Sequence, residues 1–124
     1  MSDVWLRLWI GCATCHRPTL RTGKSALPAL RNQAVAAYTD LRLHDMGAAL
    51  SDAWDADGIP GSAFRTPPLW GLRNSGPPYL HDGRAASVRD AIELHGGEAA
   101  GTVDAYRRLS PPDKTALDDF VKSL

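Results

Sequence analysis

The chain has 124 residues, and its 14 basic and 14 acidic side chains give a formal net charge of zero. This length is typical of one domain, and we expect residues 1–124 to form it. No face is obviously basic, so the composition gives no reason to expect binding to nucleic acid or to an anionic membrane. No apolar run approaches the length of a membrane span. The start, MSDVWLRLWIG, has too short an apolar stretch for a signal peptide.

Few regular elements are predicted in the first two thirds of the chain. A short helix is expected over residues 3–8, and the prolines and glycine of residues 17–28 indicate a loop. Residues 30–50 are expected to be helical in part, with an end near Gly47. The density of glycine and proline over residues 51–84 excludes long helices and central strands.

Three helices are predicted in the last third of the chain. A helix over residues 87–95 is indicated by a capping Ser87 and by one face with the spacing i, i+3, i+4 and i+7, formed by Val88, Ala91, Ile92 and His95. Further helices are expected over residues 102–109 and, capped by Ser110, over residues 110–124. Because no alternating β-branched segment stands out, the sequence predicts an all-α fold.

Residues 12–16 read Cys-Ala-Thr-Cys-His, which is the attachment motif of c-type haem. Two thiols at this spacing can each form a thioether to one vinyl group, and the next imidazole then lies beneath the iron as an axial ligand. The sequence therefore predicts one covalent haem c, attached through Cys12 and Cys15, with His16 as its first axial ligand.

Two other chemistries use closely spaced cysteines. A thioredoxin-like redox motif belongs to a βαβ unit, of which the sequence gives no sign. A zinc site needs four clustered ligands, which Cys12, Cys15 and two histidines are able to supply, but the chain has no second closely spaced ligand pair. Both interpretations are weaker than haem.

The second axial ligand has four main candidates, which are Met46, His44, His81 and His95, with a tyrosine or a lysine as more distant alternatives. Methionine is common in electron-transfer cytochromes, where it raises the potential. His95 instead falls on the apolar face of a predicted helix, and a buried imidazole needs a partner because an unpaired buried nitrogen is costly. A backbone carbonyl is the usual partner for such a histidine, and iron is the alternative. Since a haem needs a second ligand, we favour His95.

Roles other than iron ligation are predicted for three polar residues. His81 lies in a turn-like stretch and is expected to make a loop hydrogen bond. His44 is expected either at the surface or facing a haem propionate. Arg65 is a candidate partner for a propionate, because a guanidinium suits a carboxylate in a bidentate geometry, and its alternative is an exposed charge.

Four stretches occur in the order GCATCH, YTDLRLHDMG, FRTPPLWGL and PYLHDGRAASVRDAIELHGGEA. Together they resemble the C-terminal cytochrome domain of the bacterial di-haem cytochrome c peroxidase superfamily, in particular its di-haem oxidoreductase or thiol oxidoreductase branch, over residues 11–124. The resemblance implies a cytochrome c-like domain of four to five short helices and long loops around one covalent haem.

The resemblance also implies which residues hold the iron. Cys12, Cys15 and His16 match the family's two thioether cysteines and first ligand. In the peroxidases the helix after the HDG motif carries the other ligand, usually a methionine, and a related enzyme that matures methylamine dehydrogenase has a tyrosine there. His95 occupies that place here, whereas Met46 does not match it, so the resemblance supports ligation by His16 and His95.

The family's enzymes carry two haems, whereas this chain has one Cys-x-x-Cys-His motif. We therefore expect a mono-haem c-type cytochrome domain that transfers single electrons and has no open iron site. The alternative is the haem half of a di-haem peroxidase or oxidoreductase whose sixth ligand can leave.

The expected partner is a redox protein or a second haem domain. Because bacteria attach haem c outside the cytoplasm, the expected location is periplasmic or otherwise extracytoplasmic. The missing signal peptide then indicates a fragment or a processed chain.

Overall fold

A computed structural model describes residues 10–124, and the helix expected over residues 3–8 lies outside them. Four short strands come first in the described part, which are β1 (Leu20–Arg21), β2 (Ala34–Val35), β3 (Leu43–Asp45) and β4 (Ala63–Arg65). Three α-helices follow, which are α1 (Val88–Glu93), α2 (Ala100–Arg107) and α3 (Pro111–Lys122). Single 3-10 turns cover Cys12–Thr14, Pro28–Leu30, Leu72–Asn74 and Gly97–Ala99.

The expectation of an all-α fold with four to five helices is wrong for the described residues. Only 34% of them are helical and 12% are in β-structure, in two small antiparallel sheets with three α-helices. In one sheet β1 pairs with β2, and in the other β3 pairs with β4 so that His44 lies opposite Phe64. The fold is therefore a small mixed one.

The error lies in residues 30–50, where helix was expected and β2 and β3 are found. A helix needs an unbroken run of right-handed residues, but Asn32, Tyr38 and Leu41 have positive φ angles of 53°, 55° and 59°. These residues reverse and bend the chain, which returns β2 to β1 and brings β3 to β4. The alternation Leu-Arg-Leu-His over residues 41–44 was the available signal for a strand.

The helices of the last third were predicted correctly. The hydroxyl of Ser87 accepts a hydrogen bond from the amide of Asp90 at the start of α1, and that of Ser110 accepts one from the amide of Asp113 at the start of α3. Each cap satisfies an amide that has no partner within its helix. The start of α1 and the start of α3 are therefore specified by residues that are close together in the sequence.

A small apolar core joins the helices to the cysteine motif. Ile10, Tyr106 and Leu117 form its centre, and Cys12 packs against them. The hydroxyl of the buried Tyr106 donates to the carboxylate of Asp118, which also accepts a hydrogen bond from Arg89 at 2.8 Å. Because α1, α2 and α3 each contribute to this group, the three helices are held together beside the motif.

The long segment over residues 51–84 contains only β4 and one 3-10 turn, as its glycines and prolines predicted. β4 is tolerated there because it pairs on one side only, with β3.

Among the residues that the structure describes, no helix is both long and apolar enough to cross a membrane.

Candidate haem site

The Cys-x-x-Cys-His motif forms one compact turn. The amides of Cys15 and His16 both bond to the carbonyl of Cys12, the second at 2.9 Å. Gly11, with a φ of 100°, precedes the turn, and a Cβ at this position would lie 2.6 Å from the hydroxyl oxygen of Thr102 in α2. The glycine therefore allows the motif to lie directly against α2.

The two cysteines are partly exposed and do not form a disulfide. Burial, followed by the nearby charges of Asp40 and Glu98, raises the pKa of Cys15 above its usual value. Cys15 is thus held as a neutral thiol near neutral pH. A partly exposed thiol beside an ordered imidazole fits a position from which a thioether is made.

His16 is held in one orientation by the backbone. Its Nδ1 lies 3.1 Å from the carbonyl oxygen of Tyr38. A carbonyl only accepts, so Nδ1 carries the proton and Nε2 keeps a lone pair. Tyr38 has a φ of 55°, and this rare conformation for a residue with a side chain aims its carbonyl at the imidazole.

His95 has the same arrangement. Its Nδ1 donates to the carbonyl of Ala91 at 2.6 Å, so its Nε2 also keeps a lone pair. The prediction placed His95 on the face of a helix, but α1 ends at Glu93 and His95 lies two residues beyond it. Its ring reaches back to a carbonyl of the last turn, which satisfies an oxygen that the end of the helix leaves unpaired.

The surroundings of both imidazoles favour the neutral form, which is the form that binds a metal ion. Burial lowers the pKa of His16 and of His95 below the usual histidine value. His95 is close enough to His16 to lower the pKa of His16 further. Within residues 10–124, neither Nε2 makes a hydrogen bond. Two neutral imidazoles with open Nε2 atoms beside a pair of thiols are the donor set that a covalent haem requires, so these residues fit the group.

A charged network lies beside this set. His44 is bound on both sides by carboxylates, with Nε2 2.8 Å from Asp40 and Nδ1 2.7 Å from Glu98. The hydrogen bond to Glu98, and then that to Asp40, raises the pKa of His44. Although burial raises the pKa of Asp40, hydrogen bonds from the backbone of Arg42 and from His44 lower it to about 2. The network is thus a protonated imidazole between two carboxylates.

This network joins β3 to the segment that follows His95. Glu98 lies three residues after His95, and its second oxygen accepts a hydrogen bond from the amide of Asp45 at 3.0 Å. The two backbones also touch, because a Cβ on Gly96 would lie 2.9 Å from the carbonyl oxygen of Met46. Residues 95–98 are therefore clamped against residues 44–47.

The network predicts a stability that depends on pH. The folded pKa of His44 is raised, so its contribution is complete below the unfolded value of about 6.5 and is lost as the pH rises through the folded value. Replacing His44 by glutamine should cost about 1 to 2 kcal/mol at pH 5.5 and less at pH 9. Urea unfolding at both pH values measures this difference.

Glu98→Gln provides the matched variant, because it keeps a hydrogen-bonding group but removes one charge next to His44. It should reduce the pH dependence without removing it, since Asp40 remains. An equal cost of His44→Gln at both pH values would show that folding does not raise the pKa of His44.

The other candidates for the second ligand are placed as follows. His81 donates from Nε2 to the carboxylate of Asp52 at 3.0 Å and stacks on Phe64, as expected for a loop histidine. His44 has both nitrogens engaged. Met46 is partly buried, and its backbone lies alongside the segment of His95, so it is the remaining rival within reach of the same region.

Arg65 lies in β4 opposite Leu43 and is exposed. Residues of a strand alternate between faces, so Arg65 points away from the face of its neighbour Phe64, which lies opposite His44. Its pairing with a propionate stays a prediction.

The zinc interpretation finds little support in the geometry of the described residues. The ligand atoms of Cys15, Asp40 and His44 lie within 4.8 Å of one another. However, both nitrogens of His44 are bound to carboxylates, so His44 offers no free lone pair to a metal ion while these hydrogen bonds are in place.

Several residues of the site had no clear signal in the sequence. Tyr38 acts through its backbone carbonyl, which any residue has. Glu98 and His44 are 54 positions apart in the sequence, and only the tertiary fold brings them together. Asp40 and His44 are four positions apart, a spacing that could have suggested a pair.

Comparison with known proteins identifies a matching family. The family model described as "Di-haem oxidoreductase, putative peroxidase" matches residues 4–124. No curated protein and no solved structure matches the chain.

Proposed function

This chain belongs to the di-haem oxidoreductase family, and from that premise we propose that it carries one covalent haem c and transfers single electrons. Cys12 and Cys15 would hold the haem, and His16 and His95 would bind its iron. The bound haem supplies a one-electron couple between ferric and ferrous iron.

One observation carries this proposal. His16 and His95 both donate Nδ1–H to backbone carbonyls, and both keep Nε2 without a hydrogen bond inside the described part of the chain. A partly buried nitrogen with a lone pair and no partner is costly unless something binds it. The pairing of two such imidazoles next to the thiol turn points to axial ligation.

The residues of the chain perform three tasks in this function. The carbonyls of Tyr38 and Ala91 fix the tautomer and the ring plane of each histidine, and such hydrogen bonds increase the basicity of a ligand. The clamp between residues 44–47 and 95–98 holds His95 in place. Cys12 ties the motif to the apolar core, which limits the movement of the site during electron transfer.

The spectrum of the ferric protein, produced with a cytochrome c maturation system, tests the proposal. We expect a low-spin haem that resists extraction by acid and acetone, without the near-infrared band of sulfur-to-iron charge transfer. That band would assign the ligand to Met46. A protein without covalent haem would contradict the proposal.

A peroxidase-type function is the alternative, and one feature favours it. His95 lies beyond the end of α1, outside the regular helix, and is followed by two glycines. A ligand outside a regular helix can dissociate from the iron more readily than a ligand within one. Fast reaction of the reduced protein with peroxide or with carbon monoxide would favour this alternative, and inertness to both favours the electron carrier.

We also propose an extracytoplasmic location, since bacteria attach haem c there. A redox protein or a second haem domain would be the partner.

A further inference from the structure

Charge is unevenly distributed along this neutral chain. Residues 10–39 contain four basic residues, Arg17, Arg21, Lys24 and Arg31, and no acidic residue. Residues 40–124 contain nine basic and thirteen acidic residues. The net charge of zero therefore conceals a basic section that follows the haem motif directly.

This basic section is folded as a hairpin, which we call the basic hairpin and define as residues 17–35. β1 and β2 form its stem, and the amide of Thr22 and the amide of Asn32 bond across it at 2.9 and 3.1 Å. The tip contains the 3-10 turn Pro28–Leu30. The hairpin is thus an ordered element that can present a surface.

No acidic side chain that the structure describes neutralises the positive charges of the basic hairpin. Arg21 donates to the carbonyl of Asn32 at 2.9 Å, and Arg31 donates to the carbonyl of Ser25 at 2.8 Å. Each guanidinium is oriented by a backbone oxygen, which carries no net charge. Among the ion pairs of the described residues, none involves the four basic side chains of the hairpin.

The tip also exposes apolar surface. Leu27 is 62% exposed and Leu30 is 54% exposed. Beside them lies a shallow concavity lined by Lys24, Ser25, Ala26, Arg31 and Asn32. Exposed leucines among oriented cations match the composition of transient protein interfaces, where apolar contact gives affinity and charge gives orientation and rate.

We propose that the basic hairpin docks an acidic one-electron carrier protein, with a carboxylate of that partner held between Lys24 and Arg31. This inference rests on the proposed electron-transfer function. The exchange moves one electron between the redox centre of the partner and the haem, so that one is oxidised as the other is reduced and no bond or proton changes place.

Three features of the basic hairpin indicate that its binding partner is an acidic redox protein. The surplus positive charge requires a negative partner, and a guanidinium with free N–H groups suits a carboxylate. The hairpin begins at Arg17, the residue after His16, so the chain leads directly from the haem attachment motif into the docking element. A small surface of this kind fits the weak, transient complexes typical of electron carriers.

Stopped-flow electron transfer from reduced flavodoxin, an acidic flavoprotein, to the holoprotein tests the inference. The test variant is Lys24→Glu with Arg31→Glu. The control is Arg73→Glu with Arg108→Glu, which reverses two exposed charges outside the hairpin. The rate for the parent protein should fall as ionic strength rises from about 20 to about 300 mM.

At low ionic strength the test variant should react at least about tenfold more slowly than the parent, and the control should stay within about twofold of it. Leu27→Ser should weaken the complex without changing its dependence on salt. Equal rates for the test variant and the control would overturn the inference.

Two further measurements separate the possible failures. Oxidation of the ferrous protein by 1,4-benzoquinone, a small uncharged reagent that takes electrons from the haem, should proceed equally in all variants. If the parent protein has no reducible haem, the proposed function fails and the inference fails with it. If hairpin-dependent binding to phosphatidylglycerol vesicles is found while flavodoxin rates are unchanged, the surface is a membrane contact and the inference is overturned.

Discussion

Replacing His95 by alanine is expected to leave the haem covalently attached but to convert its iron from low spin to high spin. The thioethers depend on Cys12 and Cys15, which the change does not touch, whereas the sixth position loses its nitrogen. Carbon monoxide should then bind the reduced variant, whereas it should not bind the parent protein. The absorption spectra of the ferric and ferrous forms, with and without carbon monoxide, measure both effects.

His81→Ala is the matched control, since His81 is already engaged with Asp52 and Phe64. Its spectrum should equal that of the parent. His95→Met should restore a low-spin iron with a higher potential, because a thioether favours ferrous iron more than an imidazole does. A His95→Ala spectrum identical to that of the parent would exclude His95 as the ligand.

Replacing Gly97 by alanine is expected to cause the largest loss of stability, about 3 kcal/mol. Gly97 has a φ of 50°, which costs a residue with a side chain energy, and a Cβ there would lie 2.7 Å from the amide nitrogen of Gly47. The contact is with backbone, so no side chain can rotate to relieve it. Urea unfolding of the variant and the parent measures the loss.

Gly101→Ala is the control for this change. Gly101 lies within α2 and has no atom within 4 Å of its added Cβ, so alanine should stabilise the helix by up to about 1 kcal/mol. Gly97→Ala should also disturb ligation, because the glycine belongs to the clamp that holds His95. Equal stability of the two variants would mean that residues 44–47 and 95–98 are not in close contact.

Much of the site followed from local sequence. The spacing of Cys12, Cys15 and His16 allows few other chemistries, and the order of the four quoted stretches led to the family that the comparison then confirmed over residues 4–124. α1 and α3 were also predictable, because Ser87 and Ser110 cap them through hydrogen bonds to residues only three positions further along the chain.

The rest depended on contacts between distant parts of the chain. The strands of residues 30–50 exist because they pair with β1 and β4, and a two- or three-residue strand leaves almost no periodic signal. The orientation of His16 depends on a carbonyl 22 positions away. The partners of His44 also come from two separate segments.

The sequence by itself therefore predicted the haem chemistry and determined the family and the helices of the last third, since each depends on residues only a few positions apart. The tertiary structure alone decided the mixed fold, the open Nε2 of both histidines and the clamp on His95. It also decided that four cations and two leucines share one hairpin. The burial and tautomer of a histidine, and the exposure of a leucine, depend on the residues that the fold places around it. They therefore cannot be predicted from the residue alone.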